Sequence, residues 1–357
     1  MSRFAQMTVR NGGKVHAPNI HWLMGMSGTG GAQLSVSNNG EFAVGTLRLG
    51  QGTAWPNTVN LGKDGTLRPG MLTLEFNNGQ NVTFNFDGGR VQANPADDRS
   101  STLFAYPTHA KWAGIHFYVQ EGGAILDSTN GKHLWWGRPL ESGVTGDGGL
   151  TCIMGNNKDV VLCDAAVSTY NGPTRAVFAG GPNDGNLQCR VANALPASTT
   201  LQIGPRATAG FSSSWSGGHD LDQTVARVEG VGKVRFCSKL VVTGGVSPVF
   251  DGAYGTLTFE NACSLSGTYD IVGDATGCGY LKVAADQDIS GLALNAGDMA
   301  AMDMHAPRAT YPILDAPNGY AGSFSFAQGF PKDKWDVRYT ANGAFLVPVN
   351  GFVVVVR

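Results

Sequence analysis

Apolar and polar residues alternate along this chain in short runs, and each run ends at turn residues. The run Gln33–Ser37 is followed by Asn38–Gly40, and the run Met71–Phe76 is followed by Asn77–Gly79. Such runs of four to six residues with a period of two predict β-strands, and no helical period competes with them. Asn-Gly and Asp-Gly pairs suit a hairpin turn and the corner of a coil equally well, so the local pattern leaves both open.

One strand–turn–strand unit recurs along the chain. The segments Phe84–Val91 and Phe117–Ile125 share a strand, a double glycine and a second strand, and they start 33 residues apart. Recurrence of one such unit is typical of a solenoid, whose thin coil buries its apolar face only against a neighbouring coil. The repetition therefore predicts an all-β fold, a right-handed single-stranded parallel β-helix with coils of ~20 to 25 residues.

The repetition weakens toward the C-terminus. Proline is frequent between Asp303 and Pro317, and the segment Gly319–Arg357 alternates strongly and contains four consecutive valines. Such a segment suits a β cap that covers the open edge of the last coil. The predicted organisation is β-helix repeats over residues 1–302 and a C-terminal cap with terminal strands over residues 303–357.

Composition and charge narrow the classes of partner. Of the 357 residues 51 are glycine, and 15% are charged, where roughly 25% is typical. The formal net charge is -2 and like charges form no run, so we expect no nucleic-acid partner and no anionic membrane surface. No apolar run approaches the ~20 residues of a membrane-spanning helix. The segment Met1–Lys14 also lacks the apolar region of a signal peptide.

Three segments carry a family pattern. Ser168–Thr174 reads Ser-Thr-Tyr-Asn-Gly-Pro-Thr, Asp220–Val225 precedes a Gly-Val-Gly at 230–232, and Gly122–Asp127 leads to a Gly-Gly-Leu at 148–150. These segments resemble the autotransporter-associated β-strand repeats of large secreted and outer-surface β-helical proteins of bacteria. The positions that match the repeat signature are Thr169, Tyr170, Gly172, Thr174, Gln223, Thr224 and Val225.

The resemblance covers residues 30 to 300 and implies a passenger-like β-helix with a structural, adhesive or display function and no catalytic residues. It implies secretion or a place on the bacterial cell surface, in which case the chain is a mature form or a fragment. The implied partners are glycans or other surface proteins, and open solenoid ends allow self-association. The chain departs from the family in its six cysteines and seven tryptophans.

Aromatic residues suggest a carbohydrate-binding β-helix as the first alternative. Trp112 and Tyr118 lie about one coil before Trp135 and Trp136. Stacked on one outer face, these four rings would form a platform for sugar rings, whereas inward-facing rings would simply belong to the core. Alternation along a strand places the adjacent Trp135 and Trp136 on opposite faces.

A polysaccharide lyase or hydrolase is the second alternative. Glycoside hydrolysis requires two carboxyl groups in one groove. The candidate pairs all lie beside turn residues, where aspartate also bonds its own backbone: Asp97 with Asp98, Asp220 with Asp222, and Asp286 with Asp288. The sequence therefore favours a non-catalytic scaffold or adhesin-like passenger over an enzyme.

The sequence predicts neither a cofactor nor a metal. It contains no phosphate-binding loop or dinucleotide fingerprint, and Gly146–Gly149 fits a turn better than a calcium site. The six cysteines include no C-x-x-C pair. Stacked coils can bring Cys237 near Cys263, so a disulfide in an exported protein and buried free thiols both remain open.

Overall fold

The structure is a computed structural model. It describes residues 5–24, 31–49, 56–74, 82–94, 103, 114–163, 166–214, 220–302 and 310–349. These described residues form 36 strands and no α-helix. Within the same ranges, no helix is long and apolar enough to cross a membrane.

Three parallel sheets, with strands numbered in chain order, form the faces of the solenoid. Sheet 1 contains, in spatial order, β1 (Ala5–Val9), β3 (Ala32–Val36), β5 (Asn57–Gly62), β7 (Val82–Asp87), β9 (Ile115–Val119) and β12 (Glu141–Ser142). Sheet 2 contains β2 (Lys14–Met24), β4 (Glu41–Leu49), β6 (Thr66–Leu74), β8 (Arg90–Gln92), β10 (Ala124–Asp127), β13 (Leu150–Met154), β15 (Thr174–Phe178), β17 (Thr200–Ile203), β20 (Arg227–Gly230), β23 (Gly245–Ser247), β28 (Gly267–Ile271), β31 (Leu292–Ala296) and β34 (Ser325–Phe326).

Sheet 3 starts later in the chain and ends in two antiparallel strands. It contains β11 (Leu134–Trp136), β14 (Val160–Leu162), β16 (Gly185–Cys189), β18 (Ala207–Phe211), β21 (Lys233–Arg235), β26 (Thr256–Phe259), β29 (Tyr280–Val283), β32 (Tyr311–Asp315), β36 (Gly343–Pro348) and β35 (Trp335–Thr340). The remaining strands are short: β19 (Gln223–Val225) with β22 (Leu240–Val242) and β27 (Ser264–Leu265), β30 (Gln287–Asp288) with β33 (Tyr320–Ala321), and the hairpin of β24 (Val249–Phe250) and β25 (Ala253–Tyr254).

The strand register confirms the predicted all-β parallel β-helix. Phe84 of β7 pairs directly with Phe117 of β9, so the repeated unit seen in the sequence is one coil stacked on the next. Ala124 pairs with Leu150, which pairs with Thr174, so these two coils take 26 and 24 residues. Strands in contact across a sheet thus come from successive coils, as the solenoid requires.

The strands of sheets 1 and 2 are joined by tight corners that contain glycine. The residues before two of these glycines, Asn39 and Asp64, have φ of 61° and 58°, a left-handed conformation that asparagine and aspartate tolerate. Corners of successive coils lie directly on one another, and a Cβ atom on Gly65 would lie 2.2 Å from the carbonyl oxygen of Val36. The Asn-Gly and Asp-Gly pairs at 39–40 and 64–65 are therefore corners of the coil and not hairpin turns.

The core consists of the inward side chains of every coil, stacked in columns. In β7, Val82, Phe84 and Phe86 are fully buried, while the residues between them face outward. The ring centroids of Phe84 and Phe117 lie 5.6 Å apart, one coil from the next. This alternation buries one side of each strand and leaves the other side to form the outer surface.

The C-terminal β cap is also confirmed. β36 pairs antiparallel with β32 and with β35, so the parallel stacking of sheet 3 ends in a β-meander. This arrangement covers the edge of β32 that would otherwise remain unpaired. The predicted boundary between residues 302 and 303 adjoins residues 303–309, which lie outside the described ranges, and it stays a prediction.

Candidate ligand-binding groove

The four predicted aromatic residues do not form one platform. Trp136 is fully buried, so its predicted role on a sugar-binding surface is wrong. Tyr118 and Trp135 are half-buried, but Tyr118 lies on sheet 1 and Trp135 on sheet 3, and the two rings therefore belong to different faces. Trp112 lies outside the described residues.

The burial of Trp136 follows from the alternation of β11. Its ring packs edge-on against Phe86 and Phe117, with centroids 5.7 Å and 5.2 Å away. Trp135 points the other way, and the guanidinium of Arg190 lies 5.0 Å from its ring centroid. The side chains of Tyr118 and His116 stack on sheet 1 at 5.5 Å.

Of the predicted acid pairs that the structure describes, one has Asp286 in a turn and Asp288 in β30, and the other has Asp220 in an isolated β-bridge. Asp286 has φ of 61°, and Asp288 accepts a hydrogen bond from the backbone amide of Ser290, which lowers the pKa of Asp288. Asp220 accepts hydrogen bonds from the backbone amide and hydroxyl of Ser238, whereas Asp222 is exposed. Neither of these pairs belongs to the lining of the groove described below. The pair of Asp97 and Asp98 lies outside the described residues.

The first group of signature residues holds adjacent coils together. Tyr170 and Thr174 are fully buried, and their hydroxyl groups are hydrogen-bonded to each other. Thr174 also contacts the hydroxyl of Thr199 at 3.1 Å, and Thr199 donates to the carbonyl oxygen of Gly172 at 3.0 Å. Thr169 is exposed and uses its backbone amide to bond Leu140 of the preceding coil.

The second group of signature residues also links adjacent coils, here through the buried side-chain amide of Gln223. Gln223 is 2% exposed, and its side chain accepts from the backbone amide of Leu195 and donates to the carbonyl oxygen of the same residue. Val225 faces the core and Thr224 is half-buried. The signature residues therefore have a role in the fold.

A groove that the sequence did not reveal lies on the outer face of sheet 2. Its wall is the hairpin of β24 and β25, whose turn residues Asp251 and Gly252 both have positive φ, 48° and 82°. A two-residue Asp-Gly turn with this geometry matches the twist of a hairpin. The hairpin lies between β23 and β26 in the chain and so interrupts this coil.

The hairpin folds back over earlier coils. Asp251 accepts hydrogen bonds from the guanidinium of Arg175 at 2.7 Å and 3.0 Å, and Arg175 precedes it by 76 residues. The ring of Phe250 lies beneath the same guanidinium, 5.2 Å from centroid to carbon. Phe250 fits there because Gly204 has no side chain, and a Cβ atom at Gly204 would be 3.1 Å from the ring.

The floor of the groove is a row of polar side chains on neighbouring strands. Gln202 of β17 pairs in register with Glu229 of β20, and Glu229 pairs with Ser247 of β23. The pairing of Val246 with Tyr269 places Asp270 of β28 beside Ser247. Since neighbouring strands lie about 4.8 Å apart, the four side chains span about 14 Å across the coils.

Arg227 fixes the two carboxylates of this floor. Its guanidinium donates to Glu229 at 2.8 Å and also to Asp270. The second oxygen of Glu229 accepts from Gln202 at 3.1 Å, and the second oxygen of Asp270 accepts from Asn295 at 2.8 Å. The two carboxylates are thus held in a fixed orientation, with side chains that are 29% and 25% exposed toward the groove.

The space between hairpin and floor is a cleft of about 310 Å³. This volume falls at the lower end of the range for small-ligand sites. The cleft combines the polar floor with apolar wall residues, and its lining comprises Gln202, Glu229, Ser247, Val249, Phe250, Asp251, Gly252, Asp270, Val272 and Gly297. An apolar wall opposite a few oriented polar groups is the usual construction of a ligand site.

All six cysteines are free thiols, and five of them are buried. Burial raises the pKa of the Cys152 thiol well above its ordinary value and raises the pKa of Cys278 to about 12. Cys237 and Cys263 are hydrogen-bonded to each other, which lowers the pKa of Cys237 and raises that of Cys263. The structure therefore places Cys237 and Cys263 in contact, as the stacking of coils predicted.

We expect brief alkylation of the native protein to leave Cys152 and Cys278 unmodified, because both thiols are buried and their pKa values are raised. The thiolate is the reactive form of cysteine, so buried thiols with a raised pKa react only after unfolding. Peptide mass spectrometry after brief iodoacetamide treatment, with and without denaturant, measures this for each cysteine. Rapid native labelling of Cys152 or Cys278 would contradict the burial of these thiols.

The residues of the described ranges contain no cluster of three or more His, Cys, Asp or Glu arranged to hold a metal ion. The carboxylate of Asp147, in the Gly146–Gly149 segment, instead accepts backbone hydrogen bonds from Gly149, Asn171 and Gly172. No family model matches this chain, and neither a curated protein nor a solved structure matches it. The resemblance to autotransporter-associated repeats therefore stays a prediction.

Proposed function

We propose that this chain is a non-catalytic, adhesin-like β-solenoid scaffold that binds a saccharide in the groove beneath the β24–β25 hairpin. The observation that carries the proposal is the pairing of a polar floor, Gln202 to Asp270, with the apolar wall of Val249 and Phe250. Sugar rings present hydroxyl groups on their edges and apolar C–H groups on their faces, so they need both kinds of surface.

The hydrogen bonds of the floor favour binding over hydrolysis. A glycosidase needs one carboxyl group that donates a proton and a second that acts as base or nucleophile. In Glu229 and Asp270, every carboxylate oxygen already accepts a hydrogen bond, from Arg227, Gln202 or Asn295. Such fixed acceptors orient the hydroxyl groups of a ligand and leave neither carboxyl group placed as a proton donor.

A place outside the cell belongs to the same proposal. The motif resemblance implies a secreted or surface passenger, and a groove for saccharides suits a protein that meets glycans or other surface molecules there. Self-association through the solenoid ends is compatible with this role, because the groove lies on a sheet face away from the first and last strands of sheet 2.

We expect Phe250→Ala to weaken saccharide binding about tenfold, because it removes the ring of the apolar wall. A glycan array identifies a bound saccharide, and isothermal titration calorimetry then measures its affinity for each variant. Phe250→Tyr, which keeps a ring, should retain binding, and thermal melts of both variants check that the fold is unchanged.

Tyr118→Ala and Trp135→Ala serve as controls, because both rings lie on other sheets. Loss of binding in either control with full binding in Phe250→Ala would place the saccharide on the predicted aromatic surface instead. An array without any signal would contradict the proposed function. Release of reducing ends from a bound polysaccharide would contradict its non-catalytic part.

A further inference from the structure

The charge of the groove is unbalanced. Among the described residues, its lining contains three carboxylates, Glu229, Asp251 and Asp270, and no Lys, Arg or His. The guanidinium groups that pair with these carboxylates belong to Arg175 and Arg227, which are not part of this lining. Three negative charges against two positive ones leave a net charge of -1 on this set of side chains. An anionic ligand is therefore repelled and a cationic ligand is attracted.

The groove also offers more hydrogen-bond acceptors than donors. A carboxylate has about four lone-pair sites, and each oxygen of Glu229 and Asp270 uses one of them for a fixed protein donor. The side-chain amide of Gln202 already donates a hydrogen bond to Glu229. Ligand groups that donate several hydrogen bonds fit this surface, whereas acceptor-only groups such as carboxylates and sulfates do not.

We propose that the groove selects saccharides with a free amino group, and this inference rests on the proposed saccharide-binding function. A protonated amine combines a positive charge with three hydrogen-bond donors, which Glu229 and Asp270 accept on the two sides of Ser247. The face of the sugar ring packs against Phe250. The polar floor repeats at every coil over about 14 Å, which suits a chain of linked sugars better than a single lysine side chain.

The experiment uses three linear oligosaccharides of equal length and linkage, built from glucosamine, N-acetylglucosamine or glucose. Calorimetry with the full chain at mildly acidic pH keeps the amine of the glucosamine oligomer protonated. We expect the glucosamine oligomer to bind about tenfold more tightly than the other two, because it adds charge-assisted hydrogen bonds. This preference should shrink at tenfold higher salt, which screens the charges.

Variants locate the effect in the groove. Glu229→Gln and Asp270→Asn each keep an oxygen that accepts from Arg227 but remove a negative charge, so the preference for the amine should fall severalfold. Asp222→Asn is the matched control, because it removes the same charge from an exposed carboxylate outside the groove lining. Equal preference in the control and the wild type, with a reduced preference in the groove variants, supports the inference.

Three outcomes would overturn it, and they differ from failure of the proposed function. If the glucose oligomer binds as tightly as the glucosamine oligomer, the groove binds saccharides without selecting amines. If oligolysine binds and no saccharide does, the site belongs to cationic peptides, and both proposals fall. If no probe binds, the proposed function itself fails.

Discussion

Replacing Gly65 with alanine is expected to lower the free energy of unfolding by about 3 kcal/mol or more. The new Cβ atom would lie 2.2 Å from the carbonyl oxygen of Val36 and 2.9 Å from that of Gly62. Both contacts are with backbone, so no side-chain rotation relieves them. The corner must open, and the hydrogen bond from the Gly65 amide to Gly62 would weaken with it.

The matched control is Gly210→Ala. A Cβ atom at Gly210, inside β18, has only the Phe236 ring within 4 Å, at 3.8 Å. Alanine also costs less conformational entropy than glycine in a strand, so we expect a change of about 1 kcal/mol or less, toward higher stability. Urea unfolding followed by circular dichroism measures both variants. Equal stability of the two would contradict the close stacking of the corners.

The corners also show how far the sequence predicted the fold. The double glycines that follow Phe84 and Phe117 correctly predicted two stacked coils. Glycine is needed there because each corner of a coil lies against the backbone of the neighbouring coil. The dipeptides Asp64–Gly65 and Asp251–Gly252 have the same chemistry, yet the first is a corner and the second a hairpin. Long-range contacts decide between them, here the pairing of Asp251 with Arg175.

The groove could not be predicted for a related reason. Glu229, Ser247 and Asp270 align across the coils, although they are separated by 18 and then 23 residues. Because the coils differ in length, the residues of this row do not recur at a constant spacing in the sequence. A search for a fixed repeat period therefore does not find them. A search for outward-facing polar residues would find them once the strand register is known.

The aromatic residues show what the alternation of side chains along a strand does not predict. The sequence predicted that Trp135 and Trp136 face opposite sides of a strand, and they do, but it left open which of the two faces inward. Trp136 faces inward because its ring packs against Phe86 and Phe117, which lie on strands of another sheet. Which of the two tryptophans faces the core therefore became known only with the strand register.

Replacing Gln223 with methionine is expected to cost about 2 to 4 kcal/mol of stability, although methionine has a similar size and is apolar. The substitution leaves the backbone amide and carbonyl oxygen of Leu195 without the partners they have at 3.2 Å and 3.0 Å. Unpaired buried backbone groups cost more than the lost hydrogen bonds alone suggest. Thermal and urea unfolding of the variant measure the loss.

Gln287 provides an internal replicate. It is 0% exposed, and its side chain binds the backbone amide and carbonyl oxygen of Cys263, each at 2.9 Å. Gln287→Met should therefore cost as much as Gln223→Met, whereas Gln33→Met should cost little, because Gln33 is half-buried and its amide donates to the side-chain hydroxyl of Ser35 rather than to buried backbone. The double variant of Gln223 and Gln287 should lose the sum of the two single losses, since the two amides bridge different pairs of coils. If Gln223→Met were as stable as Gln33→Met, the backbone of Leu195 would have to find other partners, and the buried amide would not be what ties these coils together.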